Sequence, residues 1–180
     1  MLVSRNIHIA APVERVFALM CDPAARTRLN PQATPLRVEI ENDSCLHEGS
    51  ICHFRVQFDQ RIVDYRTRVR EFVPQRRIVS VSDTAVPFEI IIETAPENGG
   101  TRLTQSERFE PTEDMLLAAG NGDGAGSRLA RWLLRTLWWI DSDYALNERE
   151  RQEQRLREKL EVNLAQWLNA IRGHLEAAGR

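Results

Sequence analysis

A carboxyl group and a neighbouring amide lie in an apolar strand pattern near residue 105. Gln105 and Glu107 share one phase of a two-residue period with Leu103 and Phe109, and the opposite phase is polar or charged. Successive side chains of a β-strand point to opposite faces of the sheet, so this alternation places Gln105 and Glu107 on the apolar face. Burial raises the pKa of a carboxyl group toward neutrality, where it can exchange a proton. Glu107 is therefore a candidate general acid/base, with Gln105 beside it.

Tyr65 is the candidate hydrogen-bond donor to a ligand carbonyl. Together with Thr67 it alternates against a phase made of Arg66, Arg68 and Arg70. A half-buried sheet keeps charge on its wet face, so Tyr65 and Thr67 are expected on the other face, with Glu107.

These few polar groups belong to a lining that is otherwise apolar. Sparse polarity in apolar surroundings is typical of small-molecule pockets. Besides Thr67, strand alternation and the helical spacing of the last segment predict these ligand-binding residues: Phe54, Phe58, Phe88, Ile90, Leu103, Phe109, Leu160, Asn163, Leu164 and Trp167.

The elements that must position these residues follow from hydrophobic periodicity. A period of two predicts strands at 2–10, 36–42, 50–59, 61–73, 76–82, 87–94 and 100–109. Helical spacing predicts short helices at 11–20 and 24–29, an extra tryptophan-rich helix at 127–140 and a long helix from about 143 to 178, with a break near 141–143. Strands joined by short turns indicate an antiparallel meander. The fold class is therefore α+β.

Composition and charge narrow the classes of function. The formal net charge is −2, with 24 basic and 26 acidic residues, so no global field favours nucleic acid or an anionic membrane. The first residues lack the pattern of a secretory signal, and no apolar run is long enough for a membrane span. Three cysteines without a C-x-x-C pair suit a reducing compartment. We expect a cytoplasmic protein without nucleic acid or stable membrane insertion.

Four local motifs resemble the START-like helix-grip superfamily (SRPBCC), which includes polyketide cyclase/dehydrase and lipid-transport proteins. They are Ile9-Ala-Ala-Pro-Val-Glu-Arg-Val-Phe17, Val69-Arg-Glu-Phe-Val-Pro-Gln-Arg-Arg-Ile-Val79, Gly99-Gly-Thr-Arg-Leu-Thr104 and Leu160-Glu-Val-Asn-Leu164. The resemblance implies one domain over residues 1–180, with a seven-stranded curved antiparallel sheet around the long C-terminal helix. It also implies an internal cavity for a hydrophobic small molecule.

Two departures from the family pattern stand out. Leu29 occupies a position where many members carry tryptophan, which affects the expected pocket mouth. Residues 113–147 are longer than a minimal member needs, and they include a glycine-rich loop and an inserted helix at about 113–142.

An ion pair is the competing explanation for an inward-facing Glu107. The family's sheet order places the first strand beside the last, and Arg5 breaks the apolar phase of that first strand. Paired charges are the commonest reason for a tolerated inward acid. Glu107 is thus either a cavity acid or the structural partner of Arg5.

Cysteine and histidine cluster in Cys45-x-His47-x4-Cys52-His53, the residue types that bind zinc. Strand alternation sends Cys52 and His53 to opposite faces, so they cannot both reach one ion without a bulge. We expect no metal site, with Cys52 packed and the histidines exposed.

The inserted segment offers two more features. The run Gly120-x-Gly-x-Gly-x-Gly126 lacks the lysine and the strand-helix context of a phosphate-binding loop, which favours a plain loop or hinge. The segment carries Trp132, Trp138 and Trp139. The last two are consecutive, so they cannot both face inward on one helix. A core wall combined with a homodimer contact through 127–140 is our preferred interpretation, and contact with a membrane surface or a partner protein stays open.

Three functions remain in view. The chain is a carrier or sensor of a hydrophobic ligand such as a polyketide, lipid or isoprenoid, or an interaction module built on the tryptophan-rich helix. The third function is that of an enzyme resembling polyketide cyclases and aromatases. That enzyme would use Glu107, Tyr65 or Gln105 for proton transfer and need no cofactor.

Overall fold

The computed structural model describes residues 1–41, 43–58, 61–82, 87–111 and 142–177. The glycine-rich run at 120–126 and the helix predicted at 127–140, with its tryptophans and dimer contact, lie outside the described residues. The elements are β1 (Leu2–Ile9), α1 (Val13–Met20), α2 (Pro23–Arg28), β2 (Thr34–Glu41), β3 (Ile51–Phe58), β4 (Arg61–Val73), β5 (Arg77–Ser82), β6 (Phe88–Glu97), β7 (Gly100–Phe109) and α3 (Ser142–Ala177).

Contacts divide the chain into two compact units. One comprises residues 2–110 and 161–180, and it holds the sheet, α1, α2 and the C-terminal half of α3. The other comprises Met1 and residues 111–160. The single domain over residues 1–180 stays a prediction.

The seven strands form one antiparallel sheet in the order β1-β7-β6-β5-β4-β3-β2. Strands β2 to β7 are therefore a meander in which each strand pairs with the next, and β1 closes on the far side of β7. This confirms the predicted fold class, an α+β helix-grip architecture with a curved open sheet and a C-terminal helix. The predicted strands all occur, with bounds that shift by up to three residues.

The β6–β7 hairpin explains one of the family motifs. Asn98 and Gly99 both have positive φ (47° and 76°), which a tight two-residue hairpin turn requires. Glycine is required at position 100, because a Cβ there would lie 2.3 Å from the backbone oxygen of Ile9. The Thr101 hydroxyl then donates to the Ala11 backbone oxygen at 2.7 Å. The motif thus fixes β7 against the end of β1.

The two short helices pack beside this junction. Helix α1 buries Val16, Phe17 and Met20 on one face, as its spacing predicts. Helix α2 begins where the Asp22 carboxylate accepts a hydrogen bond from the Ala25 N–H, at 2.8 Å, which caps the helix. Helix α1 contacts β6 and β7, and α2 contacts β2.

The C-terminal half of α3 carries a buried stripe of the predicted spacing, namely Leu164, Leu168, Ile171 and Leu175. Two side chains tie this half-helix to β1 and the residue after it. Arg5 donates to the Glu161 carboxylate at 2.5 Å, and the Ala10 N–H donates to Glu176 Oε1 at 2.9 Å. Helix α3 begins, among the described residues, at Ser142, close to the predicted start.

Two predictions about individual faces need correction. His53 is only 9% exposed, so its predicted exposure is wrong. Its ring nitrogen meets the Asp64 carboxylate at 2.7 Å, a diagonal pair that depends on the β3–β4 register. Phe58, predicted on the buried phase, is 36% exposed because it is the last residue of β3, where the sheet ends.

Candidate functional site

The inner face of the sheet is the side that carries Tyr65, Gln105 and Glu107. Strand pairing sets Glu107 opposite Ile90, and Gln105 opposite Ile92. Ile90 is in turn opposite Ser80 on β5. Within this row the carboxyl group therefore has only apolar and neutral polar neighbours on adjacent strands.

Tyr65 lies in an aromatic cluster on the same face. Its ring stacks on Phe54, with centroids 5.0 Å apart and planes within 8°. The edge of a third ring, Phe88, meets it at 5.5 Å. Offset or edge-on contacts of this kind hold rings in fixed positions. The phenol is thereby oriented from both sides.

Glu107 has one described hydrogen-bond partner. The Gln105 side-chain amide donates to Glu107 Oε1 at 2.9 Å. Burial raises the pKa of the Glu107 carboxyl above its ordinary value, and the Gln105 hydrogen bond offsets this in part. Gln105 is itself only 1% exposed, and its carbonyl oxygen has no partner among the described residues. The pair thus combines a carboxyl group of raised pKa with an amide oxygen that has no described partner.

The competing partner of Glu107 is engaged elsewhere. In the β1–β7 register Arg5 faces Gln105, and its guanidinium pairs with Glu161 of α3 rather than with Glu107. Val3 is the residue that faces Glu107. Among the described residues, no ion pair explains the inward carboxyl group.

The Tyr65 hydroxyl is a hydrogen-bond donor over the whole neutral range. Burial raises the pKa of Tyr65 to about 12, and the nearby Arg26 guanidinium offsets part of this rise. Glu107 is close enough to raise the same pKa further. The three groups therefore share one electrostatic environment on the inner face.

Arg26 is the functional candidate that the sequence predictions missed. It projects from α2, is 6% exposed, and its Nη1 donates to the Met20 backbone oxygen at 3.1 Å. Its own backbone oxygen accepts a 2.8 Å hydrogen bond from the Trp167 indole. Burial lowers the pKa of the guanidinium, while Cys52 and Tyr65 act in the opposite direction. Even so, a guanidinium stays protonated in proteins.

A signal for Arg26 was present in the sequence. Asp22 caps α2, which fixes the phase of the helix, and Pro23, Arg26 and Thr27 are its buried residues. Positions three and four residues apart share one face of a helix. Counting from the cap would therefore have placed Arg26 inside.

The other predicted lining residues are distributed as follows. Thr67, Phe54, Leu103, Phe109 and Leu164 are buried. Phe88, Ile90, Asn163 and Trp167 are half-buried. Leu160 belongs to the unit of residues 111–160. A role in binding a ligand stays a prediction for all of them, and for Phe58.

The cysteine and histidine motif does not come together. Cys45 is exposed, whereas Cys52 is buried on the inner face, where desolvation raises the pKa of its thiol. His47 Nε2 meets the Asp43 carboxylate at 2.6 Å, and His53 pairs with Asp64 on the outer face. Within the described parts of the chain, no three residues of metal-binding type form a cluster.

None of the described helices combines the length and the apolar character that a membrane crossing requires.

Comparison with known families identifies the chain. Residues 2–137 match the family described as polyketide cyclase/dehydrase and lipid transport. The chain belongs to this family. The match confirms the resemblance drawn from the four sequence motifs. A search of curated proteins with this chain found no match.

Solved structures show the same fold. The Thermus thermophilus protein TTHA0849 superimposes with a TM-score of 0.62 at 16% identity, covering 100% of both chains. The Zhui aromatase/cyclase from Streptomyces sp. R1128 has a TM-score of 0.61 at 18% identity, covering 100% of this chain and 96% of its own. The polyketide cyclase-like protein Cgl2372 from Corynebacterium glutamicum has a TM-score of 0.56 at 21% identity, with 98% and 92% covered.

Proposed function

We propose that this protein binds a hydrophobic small molecule, of polyketide, lipid or isoprenoid type, against the inner face of its sheet. We further propose that it acts on the molecule as a cyclase or aromatase by acid/base chemistry. One observation carries the proposal. Glu107 lies on an apolar inner face, with a raised pKa and no ion pair to the described residues. Membership of the polyketide cyclase/dehydrase family and the fold shared with an aromatase/cyclase support it.

The chemistry assigned to these residues is an intramolecular aldol condensation. Ionised Glu107 removes a proton from the carbon beside a ligand carbonyl, the electron pair of that C–H bond forms a C=C bond, and the π pair of the carbonyl moves onto its oxygen. The Tyr65 hydroxyl donates a hydrogen bond to this oxygen as it becomes negative. The enolate carbon then attacks a second carbonyl of the same chain, and protonated Glu107 returns its proton to the new alkoxide. Loss of water from the aldol gives the cyclic enone.

Gln105 is a positioning residue in this scheme. Its amide N–H groups hold one carboxylate oxygen of Glu107, which leaves the other oxygen for the ligand. A raised pKa suits the role, because a general base works best when its pKa lies near the working pH. Apolar walls exclude the water that would otherwise protonate the enolate.

The test separates turnover from binding. The probe is a linear diketone that closes to a cyclohexenone by the same condensation, followed by ultraviolet absorbance of the enone. Glu107→Gln is expected to lower the protein-dependent rate by roughly 10²-fold or more, the usual contribution of a general base. Native mass spectrometry of the purified protein identifies the bound molecule, and its retention by the variant measures binding.

Glu110→Gln is the matched control, since Glu110 is exposed just beyond the end of β7. That variant should keep the full rate. A Glu107→Gln protein that turns over the diketone as fast as wild type would refute the catalytic assignment.

A carrier without turnover is the second candidate function. It is favoured by the family's inclusion of lipid transport and by the scarcity of polar groups on the inner face. A carrier would retain a co-purified molecule in both proteins and give no protein-dependent enone in either.

A further inference from the structure

Arg26 is a buried cation with no ion-pair partner within the described parts of the chain. It is only 6% exposed, and its one described side-chain hydrogen bond goes to a backbone oxygen. Asp22 is close enough to act on the guanidinium electrostatically, but its carboxylate caps α2 and forms no ion pair with Arg26. Charged groups inside proteins are as a rule paired, because an isolated buried charge is costly. The position of Arg26 therefore calls for an explanation.

The guanidinium has one used edge and one free edge. Nη1 donates to the Met20 backbone oxygen at the end of α1, where a cation also suits the helix dipole. Nε and Nη2 have no acceptor among the described residues. These two N–H groups point the same way, in the fork that binds both oxygens of a carboxylate. The free edge is thus the one suited to an anion.

The guanidinium lies within electrostatic range of side chains on the inner face. Arg26 interacts electrostatically with Cys52 and Tyr65, neither of which is ionised at neutral pH once buried with a raised pKa. The Tyr65 hydroxyl, held between Phe54 and Phe88, adds a neutral donor close to the cation. A guanidinium close to aromatic rings suits the charged end of an apolar molecule.

We propose that the free edge of the Arg26 guanidinium binds the carboxylate of an apolar-chain ligand, which supplies the missing negative charge and leaves the Tyr65 hydroxyl for the ligand carbonyl. The inference rests on the proposed binding function and narrows its ligand class from hydrophobic molecules in general to amphiphilic anions. The backbone oxygen of Arg26 accepts a 2.8 Å hydrogen bond from the Trp167 indole, which fixes this turn of α2 against α3.

The experiment compares two ligands that differ only at the polar end. Dodecanoate and dodecanol are titrated by calorimetry, below their aggregation limits and at neutral pH, into the full-length protein. Wild type is expected to bind dodecanoate at least about tenfold more tightly than dodecanol, although the alcohol is the more hydrophobic of the two. This comparison needs no variant to fold.

Variants at two positions of α2 locate the effect. Arg26→Met should lower the affinity for dodecanoate by about tenfold or more and change the affinity for dodecanol by less than about twofold. Arg26→Lys should restore part of the preference for dodecanoate. Arg28→Met is the control, since Arg28 is an exposed arginine on the same helix and should leave both affinities unchanged. Thermal unfolding of each variant monitors the Met20 contact.

The outcomes distinguish this inference from the function on which it rests. Equal binding of acid and alcohol by wild type refutes the carboxylate site and leaves apolar binding intact. A parallel loss of both ligands in Arg26→Met shows that Arg26 is structural, which also overturns the inference. If neither amphiphile binds wild type, the binding function and the carboxylate site fail together.

Discussion

On the outer face of the sheet, several charged side chains form ion pairs with partners of opposite sign, whereas Arg26 and Glu107 on the inner side form none with the described residues. Outside, Glu89 accepts from both Arg70 and Arg108, and Arg66 pairs with Glu41 across the strands. Inside, the described hydrogen bonds of the two charged groups go to a backbone oxygen and to a neutral amide. Several outer-face charges are thus paired by protein, while Arg26 and Glu107 have no ion pair among the described residues.

The difference indicates where stability and function reside. Exposed ion pairs contribute little to stability, because water already solvates the charges and ordering the side chains costs entropy. Unpaired charge in apolar surroundings lowers stability, so a folded protein keeps it only when something else requires it. The outer face therefore solubilises the sheet, and the inner face combines the packing that stabilises it with the groups proposed to meet a ligand.

Leu103→Ala is the substitution expected to have the largest effect on stability. Leu103 is 0% exposed on the inner side of β7, beside the residues of the candidate site. Truncating a fully buried leucine removes apolar contacts and leaves a cavity, at a cost of roughly 2–5 kcal/mol. Urea unfolding followed by circular dichroism measures the change in the free energy of unfolding.

A loss well below this range would mean that inner-face packing is looser than the burial of Leu103 implies. The outer ion pairs would then contribute more of the free energy of unfolding than expected, and inner-face packing less.

The fold could be predicted because its signals are local. The two-residue period predicted the strands of the meander, and each of them occurs in the structure. Alternation also placed Gln105 and Glu107 on the inner face without any knowledge of the register. A residue's face within one strand depends only on its own neighbours in sequence.

The site was harder to predict because it depends on contacts between elements. Arg26 is buried because it lies on the buried face of the six-residue helix α2, although arginine generally prefers the surface. His53 is buried through a diagonal contact with Asp64, which exists only in the observed register of β3 and β4. Arg5 was one of two alternatives considered for Glu107, yet its guanidinium pairs with Glu161 of α3.

A pH-dependent effect on stability is the next prediction, and it concerns the unpaired acid. Since burial raises the pKa of Glu107, the native state holds this proton more tightly than the unfolded chain does. Stability should therefore fall as pH rises from the unfolded-state pKa of about 4.3 to the higher native pKa, and level off above it. Glu107→Gln removes the titrating group, so its free energy of unfolding should gain on wild type across this window.

Urea midpoints measured at a series of pH values check the prediction, with Glu110→Gln as the control for removing an exposed acid from the same region. Parallel profiles for wild type and Glu107→Gln would show that the carboxyl titrates normally in the folded protein. Glu107 would then resemble the acids of the outer face, and the contrast between the two faces would reduce to Arg26 alone.

The smallest effect is expected for Arg108→Ala, which tests the outer face on the same strand as Leu103. The Arg108 side chain is 64% exposed and lies 3.4 Å from Glu89, which keeps Arg70 as its second partner. Removing one exposed member of such a pair typically costs about 0–1 kcal/mol, less at high salt because ions screen the attraction. The same urea titration, at low and high salt, gives both quantities. A cost as large as that of Leu103→Ala, or one that salt does not reduce, would show that Arg108 stabilises β7 by packing rather than charge.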